Sequence, residues 1–335
     1  MTVTSDDIAR HLQVSASTVS KALNNYQDVS DETRKRVLDA ARELGYYPSA
    51  TARSLRRRRT DRIGFLFTHP VTFVSEFVAK MITGAMFAAE AGGTNIVLYP
   101  TIATERPKLL TRVCRAREVD GVLVMGMPEV EETAALLEED GMPLVILGRH
   151  VKRATASYVT ADHQDGARQA TQHLIELGHR RIAYTDSYYL TQLNVERRAG
   201  YQKALEDAGL PLREELIVPI GSGSSAGDPV FEQMLDLTEP PTAVFAIHDG
   251  AAISVLKAAT ERGLQVPGDL AIAGFDDIYS TLMTEPPLTT VHQPLTQIGK
   301  LAAEALLERV DDRSLPPVRT TLPVHLVVRQ STAKH

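Results

Sequence analysis

The chain has 335 residues, enough for two or three domains that each bury a core of their own. Cys114 is its single cysteine, which excludes a disulfide framework and a cysteine-based metal site. A lone cysteine also suits a reducing compartment. We expect a cytoplasmic protein that does not span a membrane, because neither a charged-then-apolar leader nor an apolar run of about 18 residues occurs.

The charge is distributed unevenly along the chain. The first 60 residues carry 11 Lys and Arg against 7 Asp and Glu, whereas the remainder carries 25 against 35, so that the formal net charge is −6. A basic N-terminal region ahead of an acidic body predicts that the first 60 residues face a polyanion.

Two short helices joined by a tight turn are predicted close to the N-terminus. Thr4 can cap the first helix with Asp7 as its capping-box partner, and Ser15 can cap the second. A third helix is predicted from its cap, Ser30, to Gly45, which ends it. This layout is typical of a helix-turn-helix domain, whose second helix enters the DNA major groove. Another kind of small three-helix bundle is the alternative.

An arginine-rich segment follows these helices. Residues 46–60 contain five arginines and no acidic residue. Pro48 and Ser49 can start a helix over residues 50–56, which is too short to be stable alone. We expect it to order on DNA, where phosphates supply the counter-charge. A solvated basic linker is the alternative interpretation.

Four blocks in this region carry a pattern that occurs in a known family. They are Val14-Ser15 with Thr18-Val19-Ser20, Val29-Ser30 with Thr33-Arg34, Leu44-Gly45-Tyr46, and Pro48 with Ala52-Arg53 and Leu55. Together they resemble the lactose/galactose repressor (LacI/GalR) family, and the resemblance extends over essentially the whole chain. It implies a homodimeric transcriptional regulator that binds a near-palindromic operator under the control of a small-molecule effector.

The resemblance also assigns DNA-contacting residues. Ala16, Ser17 and Lys21 match the family's main base-reading positions, and among these Lys21 offers a strong contact to guanine. The resemblance implies that Leu55 wedges into a central base step through the minor groove and kinks the duplex. Ser49 stands where the family commonly has Asn, and Ser caps a helix about as well. The predicted DNA-binding set is Thr4, Ser15, Ala16, Ser17, Thr18, Ser20, Lys21, Asn24, Val29, Ser30, Thr33, Tyr46, Ser49, Ala52, Arg53, Leu55 and Arg56.

From residue 61 onward the hydrophobic pattern predicts strands that alternate with helices. The predicted strands span 62–67, 95–99, 121–125 and 143–147, then 181–184, 216–219, 243–247 and 270–274; the predicted helices span about 76–91, 105–116 and 131–140. Continuous apolar strands that alternate with helices are typical of parallel sheets covered on both faces. Two such series predict an α/β core of two doubly wound parallel-sheet subdomains, with the ligand pocket between them beyond the carboxyl ends of the strands.

The domain boundaries follow partly from the resemblance, since the family's core is similar to periplasmic sugar-binding proteins. The resemblance implies that residues 292–321 return to the first subdomain and that strand 324–328 joins the second. The predicted domains are a helix-turn-helix domain at 1–47, a hinge at 48–60, an N-terminal subdomain at 61–160 and 292–321, and a C-terminal subdomain at 161–291 and 322–330. No leucine heptad follows the core, so we expect a dimer rather than a tetramer.

Six residues are predicted to line the pocket. Phe73 and Phe77 can stack on a sugar ring or belong to the core, and Arg149 can hold hydroxyls, a carboxylate or a phosphate, or form a surface salt bridge. The resemblance places Arg197 on the family's ligand-contacting arginine and Asp276 in the cleft as an acceptor for hydroxyls. The sixth, His248, replaces the Asn that the family usually directs at the ligand, and it adds a titratable group.

We expect a sugar or related polyol as the effector, with a nucleobase or nucleoside as the alternative. A transport-type binding protein is disfavoured by the basic, leaderless N-terminal region. An enzyme is disfavoured because no phosphate-binding Gly-Lys loop, nucleophile elbow or His/Cys cluster occurs, and because the adjacent Asp276 and Asp277 point in different directions. No metal or cofactor is predicted, since His248 with Asp249 supplies too few ligands.

Overall fold

The computed structural model describes residues 3–24, 26–46, 59–68, 76–101, 106–126, 130–153, 155–187, 191–220 and 229–333. The chain divides into two compact units, residues 1–60 and 61–335. The predicted hinge helix, with Ser49, Ala52, Arg53, Leu55 and Arg56, lies outside the described residues, as does Phe73. Among the described residues, no helix is both long enough and apolar enough to cross a membrane.

Three helices form the first unit, α1 (Ser5–Leu12), α2 (Ala16–Leu23) and α3 (Asp31–Glu43). The carboxylate of Asp7 accepts hydrogen bonds from the amide and the hydroxyl of Thr4 at 2.8 and 2.7 Å. Ser15 Oγ accepts from the amide of Thr18 at 3.0 Å, and Ser30 caps α3 in the same way. These bonds satisfy amide groups that the first turn of each helix leaves without a partner, so the predicted caps are confirmed.

The three helices pack around a small apolar core. Ile8, Val19 and Val37, one from each helix, are fully buried where the helices meet. Gln13 turns the chain between α1 and α2 in the left-handed region at φ 55°, and Gly45 ends α3 at φ 67°. Both breaks fall where the sequence predicts them, and the unit has the arrangement of a helix-turn-helix domain.

The second unit contains two sheets, each with six strands among the described residues. The first has the order β11-β5-β4-β3-β1-β2, with all neighbours parallel. Its strands are β1 (Arg62–Thr68), β2 (Asn95–Thr101), β3 (Gly121–Met125), β4 (Leu144–Leu147), β5 (Ser157–Ala161) and β11 (Arg319–Leu322). The order reverses between β1 and β3, which is the switch point at which open α/β sheets bind ligands.

The second sheet repeats this topology in the order β12-β10-β9-β8-β6-β7. Its strands are β6 (Ile182–Ser187), β7 (Ile217–Ile220), β8 (Ala243–Phe245), β9 (Ala271–Asp276), β10 (Thr289–His292) and β12 (His325–Val327). All its pairs are parallel except β10 with β12, which is antiparallel. The chain therefore enters the first sheet, crosses to the second, and contributes β11 and β12 to the two sheets in turn.

Helices cover both sheets. They are α4 (Glu76–Ala91), α5 (Arg106–Arg115), α6 (Val130–Glu139), α7 (His163–Glu176), α8 (Gln192–Asp207), α9 (Pro229–Leu235), α10 (Asp249–Glu261) and α11 (Leu295–Asp311). The first three agree closely with the predicted helices. The backbones of α4 and α11 come into direct contact at Gly84 and Gly299. This tight packing fixes where the first turn of α4 lies.

The hydrophobic pattern does not predict two inner strands, β5 and β10. Both carry buried polar residues instead of a continuous apolar run, because those side chains make specific hydrogen bonds inside the protein. Ser157 Oγ accepts from the amide of Val318 at 3.0 Å, and Thr290 Oγ1 donates to Asp249 at 2.5 Å. Each strand is thus held by long-range bonds that local periodicity cannot reveal.

Candidate functional site

The N-terminal end of α2, with its cap, presents small side chains to solvent, two of them serines. Ser15, Ala16 and Ser17 are exposed, whereas Val19 and Ala22 are buried against the other two helices. Because the buried side chains hold the helix in place, this exposed end is free of any packing role. It has the size and polarity needed to lie in a DNA groove.

Lys21, the predicted guanine contact, forms an ion pair with Asp28 in this structure. The hydrogen bond from Lys21 holds the pKa of Asp28 below its ordinary value. Both side chains are substantially exposed, so the pair is weak and can be exchanged for a stronger acceptor on DNA. The lysine is therefore positioned by its own domain before any DNA is bound.

Other members of the predicted DNA-binding set are placed differently. Asn24 caps α2 through its side chain, with Nδ2 donating to Ser20 O at 2.5 Å. Ser30 and Thr33 are joined by a hydroxyl–hydroxyl bond of 2.9 Å at the start of α3. Val29 is buried in the three-helix core, so its side chain supports the domain from within.

A second candidate site lies in the core, where Arg197 of α8 is almost fully buried. Its guanidinium donates to the carbonyl of Ile247, to Asp276 Oδ1 at 3.2 Å and to His163 Nδ1 at 3.4 Å. It also lies over the Phe275 ring, 3.8 Å from the centroid. A buried guanidinium held on several sides is a rigid donor, well suited to recognition of polar ligands.

Asp276 ends β9 and faces this arginine. Its Oδ1 accepts from Arg197 and, at 2.6 Å, from Gln293 Nε2. Burial raises the pKa of Asp276 to about 6, against the opposing effect of these two donors. The neighbouring Asp277 instead bonds to Arg329 and His292, at 2.6 and 2.8 Å. The two carboxylates thus point into different networks, as predicted.

Two histidines flank Arg197. His163 begins α7, is fully buried, and lies 3.0 Å from Gly148 O and 3.2 Å from Thr160 Oγ1 through Nε2. Burial, together with the charge of Arg197, lowers the pKa of His163 well below its ordinary value. A neutral ring must therefore donate from Nε2 to the Gly148 carbonyl and accept from Arg197 at Nδ1.

The other histidine, His248, caps α10. Its Nδ1 accepts from the amide of Ala251 at 3.0 Å, which is the bond that a Ser, Asp or Asn cap would make. Burial, and secondarily Arg197, lowers the pKa of His248 to about 4. The neutral ring then carries its proton on Nε2, so that His248 presents a hydrogen-bond donor away from the helix.

Asp249, the residue after this cap, is fully buried behind the cluster. Its carboxylate accepts from Thr290 Oγ1 and from the amide of Ile278, at 2.5 and 3.0 Å. Burial and the nearby Asp276 raise the pKa of Asp249 well above its ordinary value. A Cβ at Gly274 would lie 2.4 Å from Asp249 Oδ1, so this position of β9 has room only for glycine.

The remaining predicted pocket residues lie on the first subdomain. Arg149 follows β4 and is 3% exposed, which rules out the alternative of a surface salt bridge. Phe77, in the first turn of α4, is partly buried and packs against the main core. A packing role for Phe77 is therefore established, and the same partly exposed ring can also present a face to a ligand.

Sequence reasoning missed two members of the cluster, His163 and Gln293, and considered Asp249 only as a metal ligand. Gln293 comes directly after β10, and His163 is the second residue after β5; these are the two strands that the hydrophobic pattern does not predict. A residue that follows a parallel strand belongs at the sheet edge where ligands bind. Correct prediction of β5 and β10 would therefore have identified His163 and Gln293 as candidate ligand-binding residues.

The neutral state of His248 predicts a pH dependence. Its pKa is near 6.5 in an unfolded chain and about 4 when folded, so the unfolded chain binds more protons between these values. The free energy of unfolding should therefore fall as pH decreases through this window, by about 2 kcal/mol from this group. His248→Asn should remove that component, since Asn caps the helix without titrating.

The measurement is urea unfolding of both proteins at pH 7 and pH 4.5. Comparison with the variant is needed because Asp276 acts in the opposite sense: its folded pKa is raised, so it contributes stability as the pH falls. An equal pH dependence in the wild type and in His248→Asn would contradict the neutral, capping histidine.

The chain has a helix-turn-helix domain followed by two doubly wound subdomains, with a polar cluster at the ends of their strands. These features define a class of protein, the DNA-binding regulators of transcription. Residues 4–49 match the model of bacterial regulatory proteins of the lacI family, and residues 171–332 match a periplasmic binding protein-like domain. The HTH-type transcriptional regulator CelR of Thermobifida fusca is 35% identical over 322 residues, covering 95% of this chain and 95% of its own.

Solved structures agree with these matches. A transcriptional regulator CelR–cellobiose complex has a TM-score of 0.76 at 33% identity, covering 98% of this chain and 99% of its own. The lac repressor dimer bound to operator and the anti-inducer ONPF has a TM-score of 0.86 at 26% identity, covering 100% of both chains. The chain belongs to the LacI family of bacterial regulatory proteins, which confirms the predicted family and fold class.

Proposed function

We propose that this protein is a transcriptional repressor that binds a near-palindromic operator as a homodimer. The observation that carries the proposal is the exposed N-terminal end of α2 with its small side chains, on a helix held in place by the buried Val19 and Ala22. The basic first 60 residues supply attraction to phosphates, and a two-fold dimer matches a near-palindrome. The named structural relative, a lac repressor dimer on its operator, supports this arrangement.

In this proposal residues 48–60 act as a hinge that folds on the operator, where Leu55 enters the minor groove. Unstacking one base step costs a few kcal/mol, which added protein contact offsets. The relatives named above are regulators of transcription, and their likeness supports a non-enzymatic role in the cytoplasm, where the DNA is.

For the effector we propose a carbohydrate bound between the two core subdomains. The cluster offers donors at Arg197 and His248 and an acceptor at Asp276, and a sugar hydroxyl can both accept and donate. Among the described residues, Arg197 Nε and Gln293 Oε1 are buried without a hydrogen-bond partner, which supports a polar ligand at this place. The CelR relative, solved as a cellobiose complex, supports the same class.

The effector acts by shifting an equilibrium between two conformations that differ in the angle between the subdomains. A ligand that prefers one angle between the subdomains shifts the population towards it, and thereby the spacing of the two hinges in a dimer. It can shift operator occupancy only by the difference in its affinity for the two states.

A thermal-shift screen of the full chain against mono- and disaccharides, sugar phosphates and nucleobases tests the effector class. A ligand that binds only the folded state raises the melting temperature by mass action. A rise with a carbohydrate that Asp276→Asn reduces would support the proposal. A rise with nucleobases alone would overturn it in favour of the nucleobase alternative.

Lys21→Ala tests the DNA interface. We expect a loss of roughly 1–3 kcal/mol in specific operator binding, the usual worth of one good base contact, with little change on random DNA. Lys35→Ala, an exposed lysine of α3, is the matched control. Titrations by fluorescence anisotropy on a selected operator and on random duplex separate the two roles, since an equal loss on both would mean that Lys21 contacts phosphate only.

A further inference from the structure

The first two turns of α4 make contacts that join the two subdomains. Lys80 Nζ donates to the carbonyl of Asp277 at 2.7 Å, although the two residues are 197 positions apart in the chain. One turn earlier, the Glu76 carboxylate accepts from the hydroxyl of Ser280 and, at 3.3 Å, from its amide. A lysine and a glutamate of the first subdomain thus hold one short turn of the second.

That turn, residues 276–280, is firmly fixed to its own sheet. The Asp277 carboxylate bonds to Arg329 at 2.6 Å and to His292 at 2.8 Å, and Arg329 also donates to Leu288 O at 2.8 Å. Its backbone is unusual, since Asp276 and Asp277 have φ values of 118° and 53°. Two successive non-glycine residues at positive φ are strained, so the surrounding bonds must hold them in place.

The turn therefore has two sides. On one side, the Asp276 carboxylate faces Arg197 and Gln293 in the candidate effector site. On the other, the next residue presents its carbonyl to Lys80, and Ser280 meets Glu76. Because the turn is anchored and strained, a change in the bonds of Asp276 cannot be absorbed locally without altering the backbone at Asp277.

We propose that Glu76 and Lys80 form a clasp on the 276–280 turn, which sets the angle between the two subdomains and transmits to it the state of Asp276. The link to an effector rests on the function proposed above. The effect of the clasp on the angle between the subdomains rests only on the contacts of Glu76 and Lys80 with the turn. Glu76 and Lys80 are positioning residues in this proposal, with no contact to the effector.

A second contact between the subdomains lies apart from the clasp. His150, after β4 of the first subdomain, lies 2.8 Å from Glu196 of α8 through Nδ1 and 3.0 Å from Thr321 of β11 through Nε2. Loss of the clasp therefore leaves this contact in place, together with the bond between His163 Nε2 and the Gly148 carbonyl. We expect a shift in the population of subdomain angles rather than a complete separation of the two subdomains.

Double electron–electron resonance on the full chain, without effector or operator, measures this population. Spin labels on Glu139→Cys of α6 and Glu261→Cys of α10, in a Cys114→Ala background, report the distance between the subdomains. Lys80→Met and Glu76→Gln should each change the ratio of the two angle states about threefold to tenfold, the range for losing a partly exposed charged hydrogen bond. Lys300→Met, which loses only a pair within α11, should not.

Two further variants keep the test decisive. Ser280→Ala removes one bond with little risk to folding and should shift the distances in the same direction as Glu76→Gln. Asp276→Asn alters only the effector side of the turn and should also move them. Unchanged distances in Lys80→Met, Glu76→Gln and Ser280→Ala would overturn the clasp, and unchanged distances in Asp276→Asn would overturn its coupling to the cleft. Neither result depends on whether an effector or operator is found.

Discussion

The Arg197→Ala protein is expected to need at least about 100-fold more effector for any response, while it still discriminates operator from random DNA. The factor corresponds to the loss of two hydrogen bonds from a charged donor at a buried site. Discrimination between operator and random DNA should be retained, because the proposed base contacts lie on α2 in the first unit. Anisotropy titrations with and without the effector found in the thermal-shift screen measure both quantities.

The expected effect of Arg197→Ala follows from the contacts that the guanidinium makes. Arg197 bonds to Asp276, His163 and the Ile247 carbonyl, and it covers the Phe275 ring. Removing one partner of a buried ion pair typically costs 3–5 kcal/mol of stability, since the other charge stays buried. Here part of that loss is avoided, because burial already raises the pKa of Asp276 to about 6 and the carboxyl can take up a proton.

Two variants make the result specific. Arg198→Ala changes the next residue along α8, whose guanidinium pairs with Asp186 at 2.9 Å and Glu214 at 3.5 Å, and should leave the effector response intact. Arg197→Lys keeps the charge but loses the planar fork, so we expect only a partial recovery. If Arg197→Ala responds at the wild-type effector concentration, the arginine is not part of the effector site.

The helix-turn-helix domain was predictable because its determinants are local. Thr4 with Asp7, and Ser15 with Thr18, are three residues apart, and each pair satisfies the start of one helix. Gly45 ends α3 with a conformation that glycine adopts readily. No contact distant in the sequence is needed for these features, so a pattern of caps and apolar spacing indicates them.

The cleft was predictable only in part. Arg197 and Asp276 were placed by family resemblance and by the rule that ligand residues follow parallel strands. His163 and Gln293 were missed because β5 and β10 lack an apolar run, their polar residues being bonded to distant parts of the chain. The helix-capping role of His248 was also not predictable, since it depends on the ring orientation and on a neutral state produced by burial.

The packing of α4 against α11 should have a large effect on stability, and α4 is also the helix that supplies Glu76 and Lys80 to the 276–280 turn. Gly84→Ala and Gly299→Ala should each destabilise the core by at least about 3 kcal/mol, above the usual cost of overpacking. A Cβ at Gly84 would lie 1.8 Å from Thr296 O, and one at Gly299 would lie 1.9 Å from Met81 O. Backbone atoms cannot rotate away as a side chain can.

Gly268→Ala is the matched control, since the nearest atoms to its Cβ lie 3.4 Å away, an ordinary contact distance. It should stay within about 1 kcal/mol of the wild type, because alanine at a compatible position mainly restricts the unfolded chain. In thermal unfolding we expect the two helix variants to melt roughly 6–12 °C lower, which is 2–4 °C for each kcal/mol in a domain of this size. An unchanged melting temperature in both would mean that α4 and α11 can separate without cost. The first two turns of α4 would then not be held firmly enough to position Glu76 and Lys80 on the 276–280 turn.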